Sequence, residues 1–136
     1  MALFIGIDTG THTGFAVWDT KQQRLTELTT LKIHKAMERV AQLSLSDDIA
    51  VYFEDARLRK WFGSAGREQL QGAGSVKRDC SIWEDFLKDL DVEYHPIPPK
   101  NNTTKMNADF FSKITGYKGK TSEHARDAAF LVINRK

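Results

Sequence analysis

Two acids in this sequence each close an apolar run: Leu3 to Ile7 leads into Asp8, and Ile49 to Phe53 leads into Glu54. A charge in that position is costly to bury unless it is paired or holds a cation. Near the far end of the chain, His124 and Asp127 stand three residues apart and so share one face of a helix. Carboxylates suit Mg²⁺ or Mn²⁺, hard cations that take oxygen ligands and keep waters for substrate phosphates. Two such ions about 3.5 to 4 Å apart activate a water and stabilise the departing oxygen in phosphodiester cleavage. Read together, Asp8, Glu54, His124 and Asp127 predict a site for two divalent ions that hydrolyses a phosphodiester, with Asp55 beside Glu54 as the alternative acid to face that site.

The positive charge is distributed to suit such a substrate. From Arg57 to Arg78 six basic residues stand against one acid, and from Lys100 to Asp127 six stand against three, within a chain whose net charge is only +2. Clustering of this kind fits a polyanion, because the basic stretches would hold a phosphate backbone that the acids would otherwise repel. Arg57, Arg59 and Lys60 run directly into Trp61 and Phe62, with Gly63 and Gly66 after them. Large aromatics in a basic, exposed segment are suited to stacking on bases.

The elements that position these groups follow from the pattern of the chain. Leu3 to Asp8 and Phe15 to Trp18 predict a hairpin with an acid at its tip, joined through Thr9 to Gly14. Gly6 and Asp8 share a face by the two-residue strand period, which leaves room beside the acid for something bulky. After the polar turn Lys21 to Arg24, Leu25 to Ile33 is a third strand, completing an antiparallel meander. His34 to Leu45 predicts a helix with Met37, Val40, Ala41 and Leu45 on its apolar stripe, and Ile49 to Phe53 a strand buried on both faces. Arg67 to Leu90 steps its apolar residues by three and four as a long helix, Val92 to Ile97 is a fifth strand, and a helix from Thr103 or Thr104 carries Met106, Phe110 and Ile114. Ser122 caps a last helix bearing His124 and Asp127. The order predicts a mixed α/β sheet whose parallel crossovers are right-handed. If the strands of Asp8 and Glu54 are neighbours, about 4.8 Å separates them.

Composition bounds the answer. At 136 residues the chain is read as a single domain over 1–136, with 40% hydrophobic and 28% charged residues, ordinary for a globular protein. One cysteine, Cys80, excludes an internal disulfide and a multi-cysteine zinc site and suits a reducing compartment. No signal-peptide pattern is present and no run approaches the roughly 20 apolar residues that span a bilayer, so no membrane association and a cytoplasmic location are expected.

Phe4-Ile5-Gly6-Ile7-Asp8-Thr9-Gly10, Phe53-Glu54 and His124-Ala125-Arg126-Asp127-Ala128-Ala129 resemble the motifs of RuvC-type Holliday junction resolvases, within the RNase H-like nuclease superfamily. The resemblance spans nearly the whole chain in strand and motif order, and the chain's shortness looks like a phage-type or divergent member. It implies an RNase H-like five-stranded mixed sheet and a Mg²⁺- or Mn²⁺-dependent endonuclease acting on branched DNA. It implies further a homodimer presenting two sites, with the helix over Gly72 to Trp83 as the interface if that face is not core, in a bacterial or phage-infected cell. Asp8, Glu54 and Asp127 are then metal ligands, and His124 binds a metal or positions the attacking water. Phe62 or Trp61 is the aromatic that wedges between bases at the junction, and Lys100 and Lys105 are the lysines near the scissile phosphate.

Rival readings are an RNase H-like nuclease acting on RNA or other structured nucleic acid, and a junction-binding module that does not cut. An actin-like kinase needs a second Asp-x-Gly loop, and none occurs. A retroviral-type aspartic protease is nearly all strand, against the helices expected from Arg67 onward.

Overall fold

The apolar run that opens the chain becomes the middle strand of a five-stranded sheet. The computed structural model describes residues 2–58, 67–99, 107–133 and 135, with backbone alone over 67–73. In chain order it forms β1 (Ala2–Asp8), β2 (His12–Asp19), β3 (Arg24–Lys32), α1 (Ile33–Ser46), β4 (Asp48–Glu54), a 3-10 turn (Ala56–Leu58), α2 (Arg67–Leu90), β5 (Glu93–Ile97), α3 (Ala108–Thr115) and α4 (Glu123–Phe130). The sheet runs β3-β2-β1-β4-β5. Both hairpin pairings are antiparallel, whereas β1 with β4 and β4 with β5 are parallel. This is the expected meander followed by helix-connected strands. β2 starts three residues earlier than the hydrophobic run suggested, since His12 already pairs with Lys32 across the sheet.

Local chemistry fixes the turns and the caps. The Asp19 carboxylate accepts the backbone N–H groups of Lys21 and Gln22, each at 2.9 Å, which closes the β2–β3 turn. Asn107 caps α3 by accepting from the Phe110 N–H at 2.8 Å, so the described helix begins at Ala108. The expected start at Thr103 or Thr104, and Met106 with it, lies outside the described residues.

α1 buries Val40 and packs Met37 against the core as the sequence pattern suggested but exposes Leu45, and α3 turns a different face. In α1 the buried stripe is Ala36, Val40 and Leu43, while Leu45 is 89% exposed. In α3 Phe111 is fully buried, edge-on to Phe130, whereas Phe110 and Ile114 are more than half exposed. A short helix carries two overlapping apolar stripes, and the position of its cap decides which one meets the sheet.

The sheet divides the core. On one side Leu3, Ile5, Ile7, Phe15, Val17, Ile49, Val51 and Phe53 pack under α1 and under Cys80, Trp83 and Leu87 of α2. That contact turns the Cys80 and Trp83 face of α2 into the core of a single chain. At Gly74 nothing among the described residues lies within 4 Å of where a Cβ would stand. On the other side Ala16, Trp18 and Leu28 pack under Phe111 and under Ala125, Ala128, Ala129 and Val132. Among the described residues no helix is long and apolar enough to cross a membrane.

Candidate active site

Asp8 ends β1 opposite Gly14 of β2, one step beyond the parallel pair of Ile7 with Phe53. Glu54 ends β4 at the next step of the same register, so the two acids close neighbouring strands at the same edge of the sheet. By strand alternation both belong to the face that carries Phe4, Gly6 and Tyr52 and that α4 covers.

The helix reaches that face through two glycines. A methyl group at Gly14 would overlap the carbonyl oxygen of His124 and lie 2.9 Å from the Asp8 Cβ. One at Gly6 would overlap the carbonyl oxygen of Ala128 and lie 3.4 Å from Val132 Cγ1. The room that Gly6 leaves beside the acid is therefore filled by the backbone of α4. The Ser122 hydroxyl accepts the Ala125 N–H at 3.0 Å to cap α4, and is hydrogen-bonded to the Thr30 hydroxyl, which fastens the start of the helix to β3.

Docked in this way, α4 places His124 Nδ1 3.1 Å from Asp8 Oδ2. The Asp8 carboxylate is largely buried while the His124 ring stays about half exposed, so the pair faces solvent through the imidazole. His12 stacks on the outer side of that ring, with centroids 6.3 Å apart and planes inclined by 26°. Asp127 follows on the same helix face, partly buried.

The backbone of Glu54 is tied to the tip of β1. The Thr9 hydroxyl donates to the Glu54 carbonyl at 2.8 Å, tying the tip of β1 to the tip of β4. Cys80 Sγ lies 3.5 Å from the same oxygen and 3.5 Å from Thr9 Oγ1. Burial pushes the Cys80 thiol up, against the opposing hydrogen bond from Thr9. The next residue, Asp55, is 1% exposed and grips Arg57 through both carboxylate oxygens, at 2.8 and 2.7 Å. Burial alone would raise the Asp55 carboxyl; the Arg57 hydrogen bonds outweigh it and leave the group below the usual carboxylate range. The same hydrogen bonds raise the Arg57 guanidinium. Of the two adjacent acids, Asp55 thus has its charge answered by Arg57, and Glu54 is the one on the face of Asp8.

The structure brings Asp8 and His124 into contact, sets Glu54 on the adjoining strand end and places Asp127 on the covering helix. Among the described residues no three His, Cys, Asp or Glu side chains gather closely enough to hold a metal ion. Three carboxylates brought that close would repel one another without a cation between them. By type and by strand placement the donors suit a hard divalent cation, carboxylate oxygens with one imidazole nitrogen. Arg57 points its guanidinium at Asp55, Ser81 and Glu84. Arg59, Lys60, Trp61, Phe62, Lys100 and Lys105 lie outside the described residues. Thr9 and His12 do not stand out by type in the sequence; Asp55 stands there as the alternative to Glu54, and its place two residues before an arginine at a strand end is the signal for its pairing.

No protein-family model matches this sequence, and no curated protein matches it. Solved structures do match. One is RuvC of T. thermophilus in complex with a Holliday junction substrate, at a TM-score of 0.60 and 18% identity, covering 98% of this chain and 91% of that one. The likeness shows the fold: a mixed five-stranded sheet flanked by helices, RNase H-like and similar to RuvC.

Proposed function

We propose that this protein is a metal-dependent endonuclease that cleaves phosphodiester bonds in branched DNA, with the four-way Holliday junction as its substrate. The observation that carries the reading is the meeting of His124 with Asp8 at a strand end beside Glu54, in a sheet similar to that of a junction-bound protein.

In this reading Asp8, Glu54 and Asp127 hold Mg²⁺ or Mn²⁺, two ions per site, with His124 as a further ligand or as the group that positions the attacking water. When bound, the ions supply Lewis-acid activation of water and stabilisation of the departing oxygen. The chain's own residues supply the rest. Asp8 orients the His124 ring through Nδ1, which leaves Nε2 toward solvent to hold or receive a proton of the attacking water. Thr9 keeps the two acid-bearing strand ends side by side. Arg59, Lys60, Lys100 and Lys105 contact the DNA backbone, and Trp61 or Phe62 stacks on bases opened at the branch. A homodimer presents two such sites, one for each strand cut at a four-way junction.

The test is cleavage of a synthetic four-way junction, a nicked duplex and an RNA–DNA hybrid, each with Mg²⁺ or Mn²⁺. Preferential cutting of the junction, lost on chelation and in Asp8→Asn, is expected. Cutting of the hybrid alone assigns the protein to RNA instead. Junction binding without cutting makes it a binding module. Activity that survives Asp8→Asn with unchanged metal dependence removes the mechanism.

A further inference from the structure

Between the Glu54 strand end and the basic aromatic stretch 59–66 lies a compact set of ion pairs that the metal chemistry does not use. Arg57 donates from Nε and Nη2 to the two oxygens of Asp55, and the Asp55 Oδ1 also accepts the Arg57 backbone N–H at 3.0 Å. The remaining guanidinium nitrogen, Nη1, reaches Ser81 Oγ and Glu84 Oε1 of α2, each at 3.3 Å. The Asp55 N–H donates to the Ile97 carbonyl of β5 at 2.8 Å, and the Glu54 carbonyl is already held by Thr9. The residue after Glu54 is thus fixed to β5 by backbone and to α2 by side chains.

We infer that Asp55 and Arg57 form a latch fastening the Glu54 strand end and the root of segment 59–66 to α2, with Arg57 a positioning residue and not a phosphate contact. The inference rests on Glu54 being an active-site acid. All three kinds of guanidinium nitrogen are engaged within the protein. Turning Arg57 outward to a phosphate would leave Asp55 buried without its cation, the costly way to break such a pair. The turn Ala56–Leu58 is thereby tied to the fifth turn of α2, which carries Ser81 and Glu84.

The experiment compares wild type, Arg57→Ala, Arg57→Lys and Glu84→Gln in the full chain. Three quantities are read: junction binding with Ca²⁺ as a function of salt, single-turnover cleavage of prebound junction with Mg²⁺ or Mn²⁺, and amide hydrogen exchange over 54–58. For Arg57→Ala the latch predicts unchanged affinity and salt slope, faster exchange at 55–58, and cleavage slower by about 100-fold through misplacement of Glu54. Arg57→Lys keeps the charge but loses the two-pronged grip, so it shows the same losses. Glu84→Gln, which leaves Asp55 paired, gives a smaller change in the same direction and serves if Arg57→Ala does not fold. A salt slope lowered by about one, with lysine restoring it, identifies Arg57 as a phosphate contact and overturns the latch. Unchanged exchange over 55–58 in every variant overturns it too. If wild type cuts none of the substrates, the nuclease reading falls, and the latch is then decided by the exchange rates alone.

Discussion

The face of the sheet under α1 and α2 and the face under α4 are filled by different kinds of residue. Under α1 and α2 the strands contribute Leu3, Ile5, Ile7, Phe15, Val51 and Phe53, met by Val40, Trp83 and Leu87. On the α4 face, which also holds Trp18, Leu28 and Phe111, the strands contribute Gly6, Gly14 and Ala16 where the helix backbone comes down, beside Ala125, Ala128 and Ala129. Large side chains keep a helix at a distance and supply buried area; small ones let its backbone touch the strands. The first face stabilises the sheet, and the second delivers His124 to Asp8. Stability and site geometry are thereby assigned to opposite sides of one sheet.

The largest effect that would separate the two faces is expected from Gly14→Ala. The added methyl displaces the His124 carbonyl, and cleavage by folded protein falls by roughly 100-fold, the scale of an ångström's misplacement at a reacting centre. Trp83→Ala breaks the other side: it costs about 3 to 5 kcal/mol in denaturant unfolding, while the molecules that remain folded cut at close to the wild-type rate. Equal loss of cleavage in the two variants at matched folded fraction would erase the distinction.

A further difference is in acid. In the folded protein the Asp55 carboxyl lies below its ordinary value, so the unfolded chain takes up that proton first as pH falls. Its contribution is complete above the unfolded carboxylate's pKa and is lost as pH drops through the folded one. Asp55→Asn should flatten the acid limb of the stability curve, and an unaltered limb would assign acid sensitivity to other groups. The smallest expected effect sharpens the contrast between glycines. Gly74→Ala adds a methyl that meets nothing among the described residues and should raise stability by about 0.5 to 1 kcal/mol, read as a higher denaturant midpoint.

The meander followed by helix-connected strands was legible from the turn at Lys21 to Arg24 and from two unbroken apolar runs each ending in an acid, while the adjacency of β1 and β4 entered only as a condition and was supplied by the structure. Helix existence was legible from periodicity, helix phase less so. Leu45 and Ile114 fit a stripe on paper and face solvent, because a helix of eight to fourteen residues can satisfy two stripes and only its docking selects one. Asp8 and Glu54 could be chosen as strand-end acids. That His124 would touch Asp8 could not, since the distance depends on how closely α4 descends onto Gly14. Arg57 counted as positive charge in the sequence; only coordinates reveal that a buried acid two residues away neutralises it.

The contact between Asp8 and His124 joins residues 116 positions apart. During synthesis the hairpin leaves the ribosome long before the helix that covers it, and the small-residue face stays bare for that interval. A nascent or prematurely stopped chain therefore bears the strand acids without the imidazole. In the proposed nuclease the imidazole would join the strand acids only after the α4 segment has been synthesised and has docked on the sheet.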